Sequence, residues 1–144
     1  MTLRLFLDTS VLLYALGAVH PARGPCRAIV RAASDGLAEL HVSIEAVQEV
    51  LFHRMRRTNR SSAVSVAIDV MSLAHCHPLN AAVMTRACEL TVVSPIRGRN
   101  AIHAATALIH GFASIVTLDT DFAHVPGLAA VTPIDCAGQF DPGT

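Results

Sequence analysis

Leu3-Arg4-Leu5-Phe6-Leu7-Asp8-Thr9 opens the chain, and Ser114-Ile115-Val116-Thr117-Leu118-Asp119-Thr120 repeats its grammar near the other end. Each reads as a short, mostly apolar strand that stops on a carboxylate followed by threonine. In a parallel α/β sheet, ligands bind beyond the carboxyl ends of the strands. If these two strands are parallel and close, Asp8 and Asp119 face one crevice from opposite ends of the sequence. Two like charges brought together need a counter-charge, and the chain contains no lysine. A divalent cation supplies that charge. Carboxylates without soft ligands select a hard ion such as Mg²⁺ or Mn²⁺. Such an ion acidifies bound water and stabilises charge on a reacting phosphodiester.

Between the two stretches the pattern alternates short strands with longer helices, which predicts an α/β sandwich with a parallel sheet. Asp8-Thr9-Ser10 offers cap residues for a short helix over 11–15, and a second helix is expected over 26–33. Residues 40–42 read as a strand. Ser43 then caps a helix to about Arg57, with Ile44, Val47, Leu51 and Met55 on one face. Further helices are expected over 63–74 and from Asn80 to about Leu90, with residues 91–94 extended. Asn100 begins a helix that ends at His110, with Gly111 as its stop. A last strand is expected at 130–132, then a loose tail from about 136. The helix-rich middle, residues 43–90, implies helices that pack on one another. Nothing in the 144 residues argues for a second domain.

Composition narrows the class. Hydrophobic residues make up 52% and charged ones 15%, so a packed core is expected rather than disorder. Charges at Arg4 and Asp8 leave no room for a secretory apolar region, and no run approaches a membrane span. A cytoplasmic protein is the expectation. Cys26, Cys76, Cys88 and Cys136 form no C-x-x-C pair and read as reduced core residues. His75-Cys76-His77 has a metal-like spacing but no matching second pair in the sequence. Net charge is zero, yet Arg54, Arg56, Arg57 and Arg60 cluster, and Arg97 and Arg99 precede a helix. Arginine's planar fork suits phosphate; a solvated helix end is the plainer alternative.

The acids have plain alternatives too. Asp8 serves as a helix cap, and Asp119 as a turn residue before Thr120-Asp121. Glu45 and Glu49 lie one turn apart, away from the apolar stripe, and the pattern alone does not choose between them. Asp119-Thr120-Asp121 also resembles the D-x-D of aspartyl-phosphate phosphatases. Those enzymes need a later cationic residue, and no arginine or lysine follows Asp121. A receiver domain requires the lysine this chain lacks, and no phosphate-cradling glycine loop is present.

Taken in order, Phe6 to Tyr14, Gln48-Glu-Val-Leu51, Ser94-Pro95 leading to Arg99-Asn-Ala-Ile-His-Ala-Ala-Thr-Ala-Leu108, and Gly111 leading to Ile115-Val-Thr-Leu-Asp-Thr-Asp-Phe122 resemble the PIN-domain ribonucleases, specifically the toxins of VapBC-type toxin–antitoxin pairs. The resemblance implies a three-layer α/β/α sandwich with a short, mainly parallel sheet, and Mg²⁺- or Mn²⁺-dependent cleavage of RNA. It also implies a homodimer and a small antitoxin that blocks the site. It assigns Asp8, Glu49 and Asp119 as metal-binding acids, with Asp121 as a further acid. Thr9, Ser10 and Thr117 match the small hydroxyl residues that orient them. Arg54, Arg56, Arg57 and Arg99 are the RNA-binding candidates. The departure is Asn100, where the family normally carries an aspartate ligand. Asparagine keeps the shape and one carbonyl oxygen but loses the charge, so metal affinity is expected to fall. Three accounts are open: an engineered inactivation, a natural weakened site that Asp121 compensates, or a degenerate member. The last gives the rival reading, an inactive PIN-like module that dimerises and binds an antitoxin.

Overall fold

In the computed structural model, which describes residues 2–140, every strand pairing is parallel. β1 (Leu3–Phe6), β2 (Ala38–Ser43) and β3 (Ala74–His77) form one ladder in that order. β4 (Ser114–Val116) and β5 (Ala129–Val131) form a second. A single parallel bridge, Leu7 to Val116, joins the two. The Asp8 N–H donates to the Val116 carbonyl at 3.0 Å, so the two aspartate-bearing stretches are neighbours at their carboxyl ends.

The helices of the described residues run in chain order: α1 (Thr9–Leu16), α2 (Arg23–Ser34), α3 (Ile44–Arg57), α4 (Arg60–Leu73), α5 (Ala81–Val93), α6 (Arg99–Ile109) and α7 (Pro133–Ala137). Side chains of a strand alternate between faces, and here the alternation separates two cores. Leu7, Leu40, Val42 and Val116 face a cluster that includes Val11, Cys26, Ile29, Val47, Val50 and Val70 from α1 to α4. Phe6 and Ile115 face the opposite way, onto Val83, Ala87, Ala101 and Ala104 of α5 and α6. The product is an α/β/α sandwich. The helix-rich middle does pack as expected, α3 against α4 in antiparallel succession after the short break at Asn59, whose side chain accepts from the Ser62 N–H.

Four expectations need correction. Residues 74–77, read as a helix end and a turn, form β3, in register with β2 from Leu40↔Ala74 to Ser43↔His77. Its alternating positions are histidines, so no apolar period announced it. Residues 91–93 are not extended: α5 continues to Val93 and only its C-cap Ser94 is extended, with the Thr91 and Ser94 hydroxyls donating back to the Ala87 and Leu90 carbonyls. Val92 and Val93 are exposed at 85% and 64%, so no buried sheet face draws them into a strand, and the helix packed through Val83, Ala87 and Leu90 simply continues. The tail from 136 is ordered as far as it is described, since Cys136 is fully buried in α7 and a 3-10 turn covers Gly138–Phe140. Residues 141–144 lie outside the described residues. Finally, Cys26 and Cys136 are core thiols, Cys76 is half-buried, but Cys88 is exposed. On α3 the buried face centres on Ala46, Val47 and Val50, with Ile44 and Leu51 packed at its margin.

Candidate active site

Asp8 stands at the N-cap position of α1 but makes no side-chain cap. Its carboxylate is only 3% exposed. Oδ2 accepts from the Ser10 and Thr117 hydroxyls, each at 2.8 Å. Those hydroxyls in turn accept from the Leu118 and Asp119 backbone N–H groups, at 3.1 and 2.9 Å. The two short strands therefore fix Asp8 from both sides of their junction. Among the described residues, Asp8 Oδ1 takes no hydrogen bond from any side chain.

Asp119 and Asp121 are held by the N-terminus of α6. Gly98 precedes that helix with φ +55°, a conformation that side-chain-bearing residues adopt at a cost. Asn100 falls in the first turn, so it does not cap the helix as the sequence suggested. Its Nδ2 donates to Asp119 Oδ2 and to Asp121 Oδ2, both at 3.0 Å. Asp119 Oδ1 accepts from the Asp121 N–H at 2.9 Å, and Asp121 Oδ2 from the Arg97 N–H at 3.1 Å. One amide thus sits between two carboxylates and offsets part of their repulsion.

Glu49 is chosen over Glu45 by a residue that sequence reasoning did not assign. His103 is fully buried on α6, one turn after Asn100. Its Nε2 lies 2.9 Å from Glu49 Oε1 and 3.2 Å from the Thr9 hydroxyl, and its Nδ1 lies 2.5 Å from Ser43 Oγ. A carboxylate only accepts, so Nε2 carries the proton and Nδ1 accepts from Ser43. Ser43 caps α3 at the same time, accepting from the Ala46 N–H at 3.3 Å. The available signal was spacing: Asn100 and His103 share a helical face at i, i+3 in an otherwise alanine-rich stretch.

Asp8, Asp119 and Asp121 therefore join one hydrogen-bonded network through Ser10, Thr117 and Asn100, while Glu49 belongs to a second, through His103 to Thr9 and Ser43, which meets the first where Thr9 follows Asp8 in the chain. The four acids do not close into a tight cage. Among the described residues, the one group of three ligand atoms within 4.8 Å of each other is Glu39, His41 and His75, elsewhere on the sheet. Mg²⁺ keeps several waters and needs one or two carboxylates, so this open set of hard oxygen donors fits such an ion.

The arginines divide between two grooves. Arg56 and Arg99 border Glu49 in a groove with Leu13, Phe52 and His53. Arg54 and Arg57 line a different one, of about 640 Å³, with Tyr14 and His20. Burial, then Arg57, Arg54 and Arg56, hold the His53 imidazole below its ordinary pKa.

The profile of the PIN domain matches residues 5–128. Ribonuclease VapC7 of Mycobacterium tuberculosis is 35% identical over 138 residues, spanning 92% of this chain and 93% of the relative. Ribonuclease VapC23 of the same organism is 32% identical over 120 residues, spanning 83% and 95%. A solved DNA-bound VapBC from Salmonella typhimurium shares the fold at TM-score 0.72 and 13% identity, covering 92% of this chain and 99% of that one.

Proposed function

This chain belongs to the PIN-domain family, and on that premise we propose that it is an endoribonuclease toxin, dependent on Mg²⁺ or Mn²⁺ and restrained by an antitoxin. The observation that carries the reading is the linked set of acids, Asp8 pinned between two hydroxyls with one oxygen left over, in a chain that aligns along 92% of its length with a ribonuclease. In this reading Asp8 and Asp119 hold the ion, with Asp121 adjoining; Asn100 turns its Nδ2 to both acids, so its carbonyl oxygen would reach the ion only after the amide turns over. When bound there, the ion supplies an acidified water and neutralises phosphate charge.

The protein's own groups do the remaining work. Ser10 and Thr117 hold Asp8 in one orientation. His103 is a positioning residue: its Nε2–H fixes Glu49 Oε1 and leaves Oε2 to accept a proton from the attacking water. Arg56 and Arg99 border Glu49 and pair with RNA phosphates, while Arg54 and Arg57 extend the basic track along the neighbouring groove. Single-stranded RNA is the substrate class, since its backbone bends into an open cleft.

The partners in this reading are an antitoxin and a second copy of the chain. An apolar groove lined by Leu12, Leu16, Val30, Val66, Val70 and Leu73 suits the apolar face of an antitoxin helix. No helix of the described residues is long and apolar enough to cross a membrane, which suits a single-domain protein working in the cytoplasm.

The test is RNA cleavage with and without Mn²⁺, using the unaltered chain, Asn100→Asp and Asp8→Asn. Cleavage is expected to need Mn²⁺, to rise in Asn100→Asp and to vanish in Asp8→Asn. If Asn100→Asp with saturating Mn²⁺ leaves RNA intact, the enzyme assignment falls and an inactive antitoxin-binding module takes its place.

A further inference from the structure

The His75-Cys76-His77 motif, unpaired in the sequence, finds its second pair across the ladder. β2 carries Glu39 and His41 at the same two-residue spacing, and His41 stands opposite His75 in register. Period-two alternation places Glu39, His41, His75 and His77 on one face of the sheet. Glu39 Oε1 lies 2.6 Å from His41 Nε2 and 3.9 Å from His75 Nε2. One ligand atom from each of the three falls within 4.8 Å of the others. A tetrahedral zinc with bonds of about 2.0–2.2 Å sets its ligands about 3.4 Å apart, a spacing between the two observed. The Glu39 and His75 side chains, 40% and 59% exposed, are the two with freedom to rotate toward it.

The surroundings are those of a ligand set. His41 is buried, and its Nδ1 lies 2.8 Å from His77 Nε2. That leaves His41 Nε2 directed at Glu39, with a second imidazole to orient the ring, as partners of metal-bound histidines do. His77 is itself stacked on His110, with ring centroids 3.8 Å apart. Arg4 Nε, 3.5 Å from Glu39 Oε1, is the competing cation, and it also lies over the Phe112 ring. The cluster lies upstream of the acid site along β2: Glu39 is four residues, roughly 13 Å of strand, and His41 two residues, roughly 7 Å, before Ser43.

We propose that Glu39, His41 and His75 bind a borderline divalent transition-metal ion, Zn²⁺ foremost, with water completing the coordination. Two imidazoles and one carboxylate suit Zn²⁺, whereas Mg²⁺ prefers oxygen alone. The ion ties the edge strand β3 to β2 and so stabilises the sheet independently of the acid site.

The experiment is calorimetric titration of metal-stripped, tag-free protein with ZnCl₂, paired with Co²⁺ absorption as a report of coordination geometry. The expected result is one equivalent bound with micromolar or tighter affinity, intense tetrahedral Co²⁺ bands, and a thermal midpoint raised by about 5 °C or more at large zinc excess. His75 is exposed on its side chain, so His75→Ala keeps the fold, verified by circular dichroism, and is expected to bind zinc at least 100-fold more weakly. His77→Gln is expected to lose roughly 10- to 100-fold, and Asp8→Asn to bind as the unaltered chain does. Binding weaker than about 100 μM, or zinc affinity lost in Asp8→Asn and kept in His75→Ala, overturns the proposal.

Discussion

Asn100 directs its amide at Asp119 and Asp121 together, at 3.0 Å each. An aspartate at that position would replace two favourable contacts with carboxylate repulsion. Asn100→Asp is therefore expected to lose roughly 1–3 kcal/mol of stability in chelator and to regain it on adding Mn²⁺, as read by paired melting curves. A variant equally stable in chelator would show that the amide bridge carries no weight. His53 makes a second prediction at this scale. Its pKa is lowered from 6.5 by burial first, then by Arg57, Arg54 and Arg56. A lowered folded value means that its contribution is fully present above 6.5 and is lost as pH falls through the folded pKa. The unaltered chain should lose melting temperature more steeply than His53→Gln as pH is lowered below 6.5. Equal slopes would assign the acid sensitivity to other groups.

Helix α6 presents both Asn100 and His103, and its entry depends on Gly98 at φ +55°. Nothing lies within 4 Å of a Cβ built there, so crowding is absent and the cost of Gly98→Ala is conformational. That substitution is expected to destabilise by about 1–3 kcal/mol and to lower RNA cleavage more than Gly24→Ala, a glycine with equal space and no positive φ. Equal activity in the two variants would mean that the helix entry does not position the site. At this scale the sequence was readable wherever apolar spacing or a strand-end acid marked an element, so β1, β4, α3 and α6 stood out, as did the adjacency of the strands that carry Asp8 and Asp119. It was silent at β3, where half-buried His77 stacks with Phe6, His41 and His110 while His75 stays exposed, so no aliphatic burial marks the strand. His103 was hidden for a related reason: its value lies in reaching Glu49 and Ser43 from other helices, and no local pattern encodes that.

Across the whole molecule the thiols are protected unequally: Cys26 and Cys136 share the core under α1 to α4, whereas Cys88 is exposed. Burial pushes Cys26 and Cys136 up to about 11, and for Cys26 the neighbouring Cys136 adds to the effect. Thiols held so far above neutral pH react slowly. Alkylation of the native protein at pH 8, mapped by peptide mass spectrometry, should modify Cys88 rapidly and reach Cys26 and Cys136 only with denaturant. Rapid labelling of Cys136 would mean that α7 detaches readily from α2, as a loose tail would. The same molecule-wide view applies to the seam between the ladders, the lone bridge from Leu7 to Val116. Each side of it supplies part of the acid cluster. A ribosome partway through translation has released Asp8 and Glu49 but not Asp119 and Asp121, so in the proposed ribonuclease an unfinished chain would carry half a blade, with no cutting edge until the strand beyond the seam has emerged.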